Sequence, residues 1–157
     1  GGASDRPCSD TYHGPYAFSE PENSAIANYV TNLPNALCYC DVHAYSQLWM
    51  SPWSSRRILP KNYLTQVECA KEATAALASV FGTEFDVGNT YRIIYEASGG
   101  SNDYTYGDVD VIYSFAIELR DTGEYGFLLP AEQIIPSGLE FFQAIMAMTE
   151  YFVKQGY

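Results

Sequence analysis

The chain has 157 residues, 47% of them hydrophobic, which is enough to bury a core as one domain. Nineteen acidic residues against eight basic ones give a net charge of −11. That balance argues against nucleic acid or an anionic membrane as a partner, because both require basic clusters. No apolar run approaches the length of a membrane span, no signal peptide opens the chain, and its first residues look like the continuation of an upstream segment.

The first half of the chain predicts a loop, a helix and two strands. Residues 1–18 are rich in Gly, Ser, Pro and Asp and predict the loop. A helix follows, because Ser19 and Glu22 fit a capping box around Pro21. Its inward face is expected to be Ile26, Tyr29, Val30 and Leu33. The apolar run 36–44 predicts a buried strand, and residues 47–50 predict a short neighbour.

Helical and extended patterns alternate through the rest of the chain. A helix is predicted from Asn62 to about Phe81, with Gly82 as its stop. Residues 85–89 predict a loop, 90–95 an extended segment, and 97–110 a long irregular loop of the kind that is usually functional. Residues 111–119 predict a strand buried on both faces. The last helix is expected to start at a capping box, Ser137 to Glu140.

The buried stripes of the two long helices are predicted from apolar spacing. For the helix at 62–81 they are Leu64, Val67, Leu77 and Val80, and for the last helix Leu139, Phe142, Met146 and Phe152. Strands that alternate with helices predict an α/β/α sandwich with a mixed sheet, formed by residues 1–157 as one unit.

Two ionisable residues stand at the ends of apolar strands. Glu118 lies in the last pleat of the strand at 111–119, where a carboxylate is costly unless it is paired or used. It is therefore either an ion-pair partner of Arg120 or a catalytic base, at about even odds. His43 ends the strand at 36–44, and a lone histidine there is more often a satisfied core residue than a ligand. Asp41 could orient the imidazole or cap the strand.

The four cysteines allow three complete pairings. Cys38 and Cys40 are two residues apart on one strand face, which is poor geometry for a disulfide between them. Their spacing also differs from the Cys-x-x-Cys of a zinc ribbon or a thioredoxin site.

Four stretches, in order, resemble the zinc metallocarboxypeptidases of the pancreatic A/B type. They are Pro7–Glu22 (PCSDTYHGPYAFSEPE), Asp41–Trp53 (DVHAYSQLWMSPW), Ile94–Tyr106 (IYEASGGSNDYTY) and Ser114–Pro136 (SFAIELRDTGEYGFLLPAEQIIP). The resemblance covers essentially the whole chain, but begins partway through the family's catalytic domain. It implies the carboxy-terminal part, about half, of that domain and a zinc-carboxypeptidase-like fold.

The resemblance assigns roles to the strand-end residues. It makes Glu118 the general base that activates the attacking water, and His43 the third zinc ligand. The other two ligands are expected from the missing amino-terminal half, because the chain has no His-x-x-Glu and its only other histidine is His13. It also implies an unpaired Cys8, whose partner lies in that half, and an oxidising, extracellular location. Non-proline cis peptides are implied after Ala44, Pro52 and Arg120.

The substrate site follows from the same resemblance. Tyr95 matches a mobile tyrosine that closes over the substrate carboxylate, and the glycines after it allow its loop to move. Tyr45 and Phe127 match aromatic subsite residues. The walls of the pocket for the C-terminal side chain, the S1′ pocket, are expected to be Ile94, Ala97, Ser101, Ala116 and Ser54.

Asn102 matches the floor of the S1′ pocket, where A-type enzymes have an aliphatic residue and B-type enzymes an aspartate. An amide carries no charge, so Asn102 predicts a neutral C-terminal side chain, apolar or polar, in the substrate.

The functional expectation is a zinc-dependent exopeptidase that acts on peptide or protein C-termini. The alternative is a catalytically inactive fragment or a non-catalytic binding module of the same fold. A third idea is complementation by a separate amino-terminal half. The chain alone is expected to have negligible activity, because the resemblance places two of three zinc ligands and both main carboxylate-binding residues in the missing half.

Overall fold

Four strands and five α-helices alternate in the computed structural model, which describes all 157 residues. In chain order they are α1 (Pro21–Thr31), β1 (Cys38–Ala44), β2 (Leu48–Ser51), α2 (Tyr63–Phe81), β3 (Asp86–Asn89), α3 (Thr90–Ile93), α4 (Ser101–Gly107), β4 (Tyr113–Leu119) and α5 (Ile134–Lys154). Two short 3₁₀ turns, Gly126–Leu128 and Ala131–Gln133, connect β4 to α5. The predicted order of strands and helices is confirmed in outline.

The strands form one mixed sheet in the order β1-β4-β2-β3. Strand β4 pairs in parallel with β1 and antiparallel with β2, which itself pairs in parallel with β3. The apolar strand β4 therefore lies inside the sheet, as its composition predicts. Strand β1 was predicted to be buried, but it lies at an edge of the sheet and is half-buried or exposed along its length.

The core lies between one face of the sheet and the long helices α2 and α5. Trp49, Phe115 and Ile117 project from the sheet into it, and Leu77 and Tyr151 meet them from the helices. Cys38 and Cys40 pack against the same core, so the alternate residues of β1 point to the opposite face. That opposite face carries Asp41 and His43, and the corresponding face of β4 carries Ala116 and Glu118.

Two predictions about α1 are wrong. The helix begins at Pro21 with Glu20 as its N-cap, and no side chain caps it; the Ser19 hydroxyl donates instead to Glu20 Oε1 at 2.9 Å. Only Ala27 and Val30 are buried, whereas the other predicted inward residues, Ile26, Tyr29 and Leu33, are exposed.

The long helices also bury faces that differ from the predicted ones. In α2 the predicted Leu77 is buried, but Leu64 is exposed, and the buried face also includes Gln66, Cys69, Ala70 and Ala73. In α5 the predicted Leu139, Phe142 and Met146 are exposed, and Ser137, Glu140, Ala144, Met148 and Tyr151 are buried. Both helices have more apolar residues than one face can hold, so long-range packing decides which face is covered.

The segment from 85 to 110 is more regular than predicted. The predicted loop contains β3, the predicted extended segment forms the short helix α3, and the predicted irregular loop contains α4. Four-residue strands and helices of four to seven residues have too little periodicity to be recognised in a sequence.

One further expectation, that of three cis peptide bonds, is confirmed. The peptide bonds Ala44–Tyr45, Pro52–Trp53 and Arg120–Asp121 are all cis. All four cysteines are free, and the Sγ atoms of Cys38 and Cys40 lie 3.7 Å apart on the core side of β1.

Arg120 makes a buried ion pair with α5, which corrects the idea that it pairs with Glu118. Its Nε donates to Glu140 Oε2 at 2.8 Å, and Nη2 donates to Glu140 Oε1 at 2.5 Å. Thr83 and Gln133 complete the network with hydrogen bonds of 2.9 and 3.2 Å to the guanidinium. The Glu140 side chain is only 2% exposed. This network ties the end of β4 to α5, and it explains why a glutamate occupies the buried face of that helix.

Replacing Glu140 by Ala is expected to lower the free energy of unfolding by about 3–5 kcal/mol, because it leaves the Arg120 charge buried without a partner. The exposed pair Lys154–Glu72, at 3.8 Å, provides the control, and Lys154→Ala should cost less than about 1 kcal/mol. Urea unfolding of the three proteins measures both values. Equal losses would show that the Arg120 network does not hold α5 to the sheet.

Candidate active site

The pairing of β1 with β4 brings His43 and Glu118 together. The two strands run in parallel, and His43 is aligned with Glu118 in their register. Aligned residues on adjacent parallel strands project from the same face of a sheet. The two residues singled out from separate strand ends are therefore neighbours, at the end of the sheet where ligands collect in α/β folds.

Glu118 lies in an environment that favours its protonated form. Its Oε2 is buried and has no hydrogen-bond partner, and no lysine or arginine forms an ion pair with it. Burial raises the pKa of Glu118 above its ordinary value; His43 opposes the rise, and the negative charge of Asp41 adds to it. A carboxylate with a raised pKa and a free oxygen has the properties of a general base or acid.

His43 has one ring nitrogen engaged and one available. Its Nε2 lies 2.9 Å from Asp41 Oδ1, while its side chain is 50% exposed. Asp41 also accepts a close hydrogen bond from the Ser101 hydroxyl through Oδ2. A carboxylate on Nε2 orients the imidazole and leaves Nδ1 free to bind a metal. Of the two roles considered for Asp41, this contact favours orientation of the ring.

The predicted S1′ residues cluster around the amino end of α4. The Ala97 N–H donates to the Ser54 carbonyl at 2.9 Å, and the Asn102 side-chain amide donates to the Thr90 hydroxyl at 3.4 Å. A Cβ built on Gly100 would lie 2.6 Å from Ser54 Oγ and 2.9 Å from Asn102 Oδ1. These two oxygens therefore border the same space, which remains open because residue 100 is glycine.

Asp103 holds this cluster in place. Its carboxylate oxygens accept hydrogen bonds from the Ser54 and Ser55 backbone N–H groups, at 2.7 and 2.9 Å. Ala116, another predicted wall residue, is aligned with Asp41 in the register of β4 and β1. Ile94, the remaining predicted wall residue, directly follows α3, and its N–H donates to the Thr90 carbonyl at 3.1 Å.

The aromatic residues predicted to contact substrate form a second group. The rings of Tyr45 and Phe127 meet edge to face, with centroids 5.1 Å apart, and Phe127 is largely exposed. Asp121 shapes the turn before Phe127, because its carboxylate accepts hydrogen bonds from the N–H groups of Gly123, Tyr125 and Gly126. These bonds, led by that from Tyr125, lower the pKa of Asp121.

Tyr95 follows Ile94 directly in the chain. It is 68% exposed, in the segment between α3 and α4. Gly99, in the same segment, has a φ of +83°, a conformation that residues with side chains rarely adopt. The mobile role of Tyr95 stays a prediction.

Comparison with known proteins shows the family of the chain. The family model described as zinc carboxypeptidase matches residues 1–144. The chain belongs to the zinc carboxypeptidase family. It is 45% identical to carboxypeptidase B of Astacus astacus over 99% of its length, and 44% identical to carboxypeptidase A1 of Sus scrofa over the same share. It covers 52% and 37% of those two proteins, so it spans about half the length of such relatives or less.

Solved structures of the family share the fold. Bovine thrombin-activatable fibrinolysis inhibitor, in complex with tick carboxypeptidase inhibitor, superimposes with a TM-score of 0.94 at 36% identity. The match covers 98% of this chain and 52% of that one. The open mixed sheet is therefore part of a larger zinc-carboxypeptidase domain in these relatives.

The family implies zinc, but no complete metal site lies within this chain. No cluster of three or more His, Cys, Asp or Glu side chains could hold a metal ion. The donor chemistry of His43 suits zinc, since imidazole is a common zinc ligand, but a catalytic site needs three protein ligands.

None of the helices has the length and apolarity that a membrane crossing requires.

Sequence reasoning missed the contact of Asp41 with Ser101 and those of Asp103 with Ser54 and Ser55. Asp103 follows Asn102 directly. Its carboxylate accepts hydrogen bonds from the backbone N–H groups of Ser54 and Ser55, which lie nearly fifty positions earlier in the sequence. No local pattern signals such a contact. For Asp41, the alternation of β1 placed it on the face of His43, and that signal was available.

The raised pKa of Glu118 predicts a pH-dependent cost to stability. The folded state binds this proton more tightly than the unfolded chain, whose glutamate has a pKa of about 4.3. The resulting stabilisation is present below that value and is lost as pH rises through the raised pKa.

Glu118→Gln removes this ionisation, so the variant should become more stable relative to wild type as the pH rises from about 4 towards 7. Urea unfolding at a series of pH values measures the difference. Glu150→Gln, at an exposed position on α5, is the control and should show no such trend. A flat difference for Glu118→Gln would contradict the buried environment described here.

Proposed function

We propose that this chain is the carboxy-terminal part of the catalytic domain of a zinc-dependent metallocarboxypeptidase, which releases the C-terminal residue of peptides or proteins. The observation that carries the proposal is the alignment of His43 with Glu118, whose Oε2 is buried and unpaired. The similarity to carboxypeptidases A and B over 99% of the chain supports the same function. An extracellular location is part of the same proposal.

His43 is proposed as the one zinc ligand that this chain contributes, through Nδ1, with Asp41 fixing the ring through Nε2. The other two ligands are proposed to come from an amino-terminal half of the domain, whether covalently joined or added separately. Zinc supplies Lewis-acid chemistry at the scissile carbonyl when it is bound.

Glu118 is proposed to move the proton in the reaction. Its Oε2 accepts a proton from the water that attacks the scissile carbonyl, and then donates that proton to the leaving amine nitrogen. The raised pKa suits both halves of this transfer, because the carboxyl can hold the proton between the two steps. The alignment of Glu118 with His43 in the β1–β4 register supports this role.

The substrate is proposed to lie between the two groups of residues described above. Its C-terminal side chain enters the S1′ pocket bordered by Ser54, Ala97 and Asn102, with Ile94, Ser101 and Ala116 completing the walls. Tyr45 and Phe127 contact the residues before the scissile bond, and Tyr95 closes over the terminal carboxylate. The edge-to-face contact of Tyr45 with Phe127 supports a shared subsite.

The inactive alternative applies to the chain by itself, because it lacks a complete set of metal ligands. We expect the isolated chain with added zinc to show no measurable peptidase activity. Addition of an amino-terminal half should restore both tight zinc binding and turnover. Turnover by the isolated chain would contradict the assignment of the remaining ligands to another segment.

The two histidines provide a matched test of the ligand assignment. In the completed enzyme, His43→Ala should abolish tight zinc binding and activity, whereas His13→Ala should retain both, because His13 Nδ1 lies 2.7 Å from the Gly14 carbonyl in a loop remote in sequence. Metal content by mass spectrometry and hydrolysis of a blocked dipeptide measure the effects. Retained zinc in His43→Ala would refute the assignment.

Glu118→Gln separates proton transfer from metal binding. In the completed enzyme it should lower kcat by about 10²–10⁴-fold while zinc content stays at the wild-type level. The pH profile of kcat/KM should lose its acidic limb in the residual activity. A variant with near-normal kcat would remove Glu118 from the reaction.

A further inference from the structure

Three sulfur atoms come together where strand β1 faces helix α5. The Sγ atoms of Cys38 and Cys40 lie 3.7 Å apart, and the Cys38 thiol donates a hydrogen bond to Met148 Sδ at 4.0 Å. Both cysteines are half-buried, on a strand at the edge of the sheet, whereas Met148 is buried. Solvent can therefore reach the two thiols, while the core holds the thioether in place.

The spacing of the two cysteines suits a bridging cation better than a disulfide. Alternate residues of a strand have Cα atoms about 6.6 Å apart, close to the upper limit of about 6.8 Å for a disulfide. By contrast, two sulfur atoms that each lie about 2.3 Å from one metal, at a tetrahedral angle, are about 3.8 Å apart. The observed separation of 3.7 Å matches that distance without movement of the strand.

The protonation of these thiols favours a cation that binds sulfur strongly. The hydrogen bond with Cys40 raises the pKa of Cys38, and burial raises it further. Cys69, a buried thiol of α2, has its pKa raised to about 12, chiefly by burial. The thiols therefore keep their protons until a cation displaces them, which soft metal ions do and hard ions such as Mg²⁺ or Ca²⁺ do not.

We propose that Cys38, Cys40 and Met148 form a binding site for Cu(I), with two thiolates and one thioether as ligands. Soft thiolate and thioether ligands favour this ion, whereas structural zinc sites take four Cys, His or carboxylate ligands. On binding, each thiolate forms a sulfur–copper bond, the two thiol protons pass to solvent, and no electron is transferred.

This site is independent of the proposed peptidase function. Cys38 and Cys40 pack against the core, whereas His43 projects from the opposite face of the same strand. Copper bound to the sulfur atoms therefore leaves the proposed zinc ligand free, and loss of peptidase activity has no bearing on the copper site.

Competition with the chromophoric chelator bicinchoninate measures the affinity of the reduced chain for Cu(I) in the absence of oxygen. The wild-type chain should remove one Cu(I) from the chelator. Cys38→Ala or Cys40→Ala should weaken this binding at least about a hundredfold, because each removes a thiolate ligand. Met148→Leu keeps the volume and apolar character of the side chain and removes only its sulfur, so it should weaken binding about tenfold.

The other two cysteines and His43 provide matched controls. Cys8 is exposed in the amino-terminal loop, and Cys69 is buried but forms no hydrogen bond with the sulfur cluster. Cys8→Ala, Cys69→Ala and His43→Ala should all bind Cu(I) with wild-type affinity. An equal loss in Cys69→Ala would show that an intact core, and not a set of ligands, determines the affinity, and it would overturn the proposal.

X-ray absorption at the copper edge tests the wild-type chain directly and does not depend on the folding of any variant. The neighbours of copper should all be sulfur atoms. Nitrogen neighbours would place the ion on an imidazole and would overturn the proposal. A chain that removes no Cu(I) from bicinchoninate, or a Met148→Leu variant with wild-type affinity, would also contradict the three-sulfur site.

Discussion

The parallel pairing of β1 with β4 is the constraint on which the site depends. Its register aligns His43 with Glu118 and Asp41 with Ala116, so one strand pair brings together the residues proposed as metal ligand, proton carrier and pocket wall. A shift of one residue would move every side chain of β1 to the opposite face. The packing of Cys38 and Cys40 against the helices prevents that shift, and so the hydrophobic core protects the geometry of the polar face.

Two glutamates near the end of β4 show how differently buried carboxylates are used. Glu140 is neutralised by Arg120 and joins α5 to the sheet. Glu118, two residues before Arg120, keeps a buried oxygen without a partner and a raised pKa. A paired carboxylate stabilises the fold, whereas an unpaired one lowers stability at neutral pH and remains available for chemistry. Arg120 therefore serves the structure and leaves Glu118 free.

The most informative failures of sequence reasoning concern which face of a helix is buried and which residues form ion pairs. The apolar stripe predicted for α5, including Leu139 and Phe142, is exposed, because the helix is apolar on more than one side and the Arg120 network draws Glu140 inward. The helix α4 was taken for a loop, since its residues include Asn, Asp and Gly. By contrast, the strand-end positions of His43 and Glu118 were recognised, because alternation and run length are local properties.

The sequence by itself determined the family, the central apolar strand and the residue types at the strand ends, since motifs and short-range patterns carry that information. Only the tertiary structure decided that Arg120 pairs with Glu140, that Asp41 joins Ser101 beside the pocket, and that Asp103 holds the segment at 54 and 55. Each of these contacts joins residues 20 to 60 positions apart. Such contacts depend on how the whole sheet and its helices pack, and no local pattern encodes them.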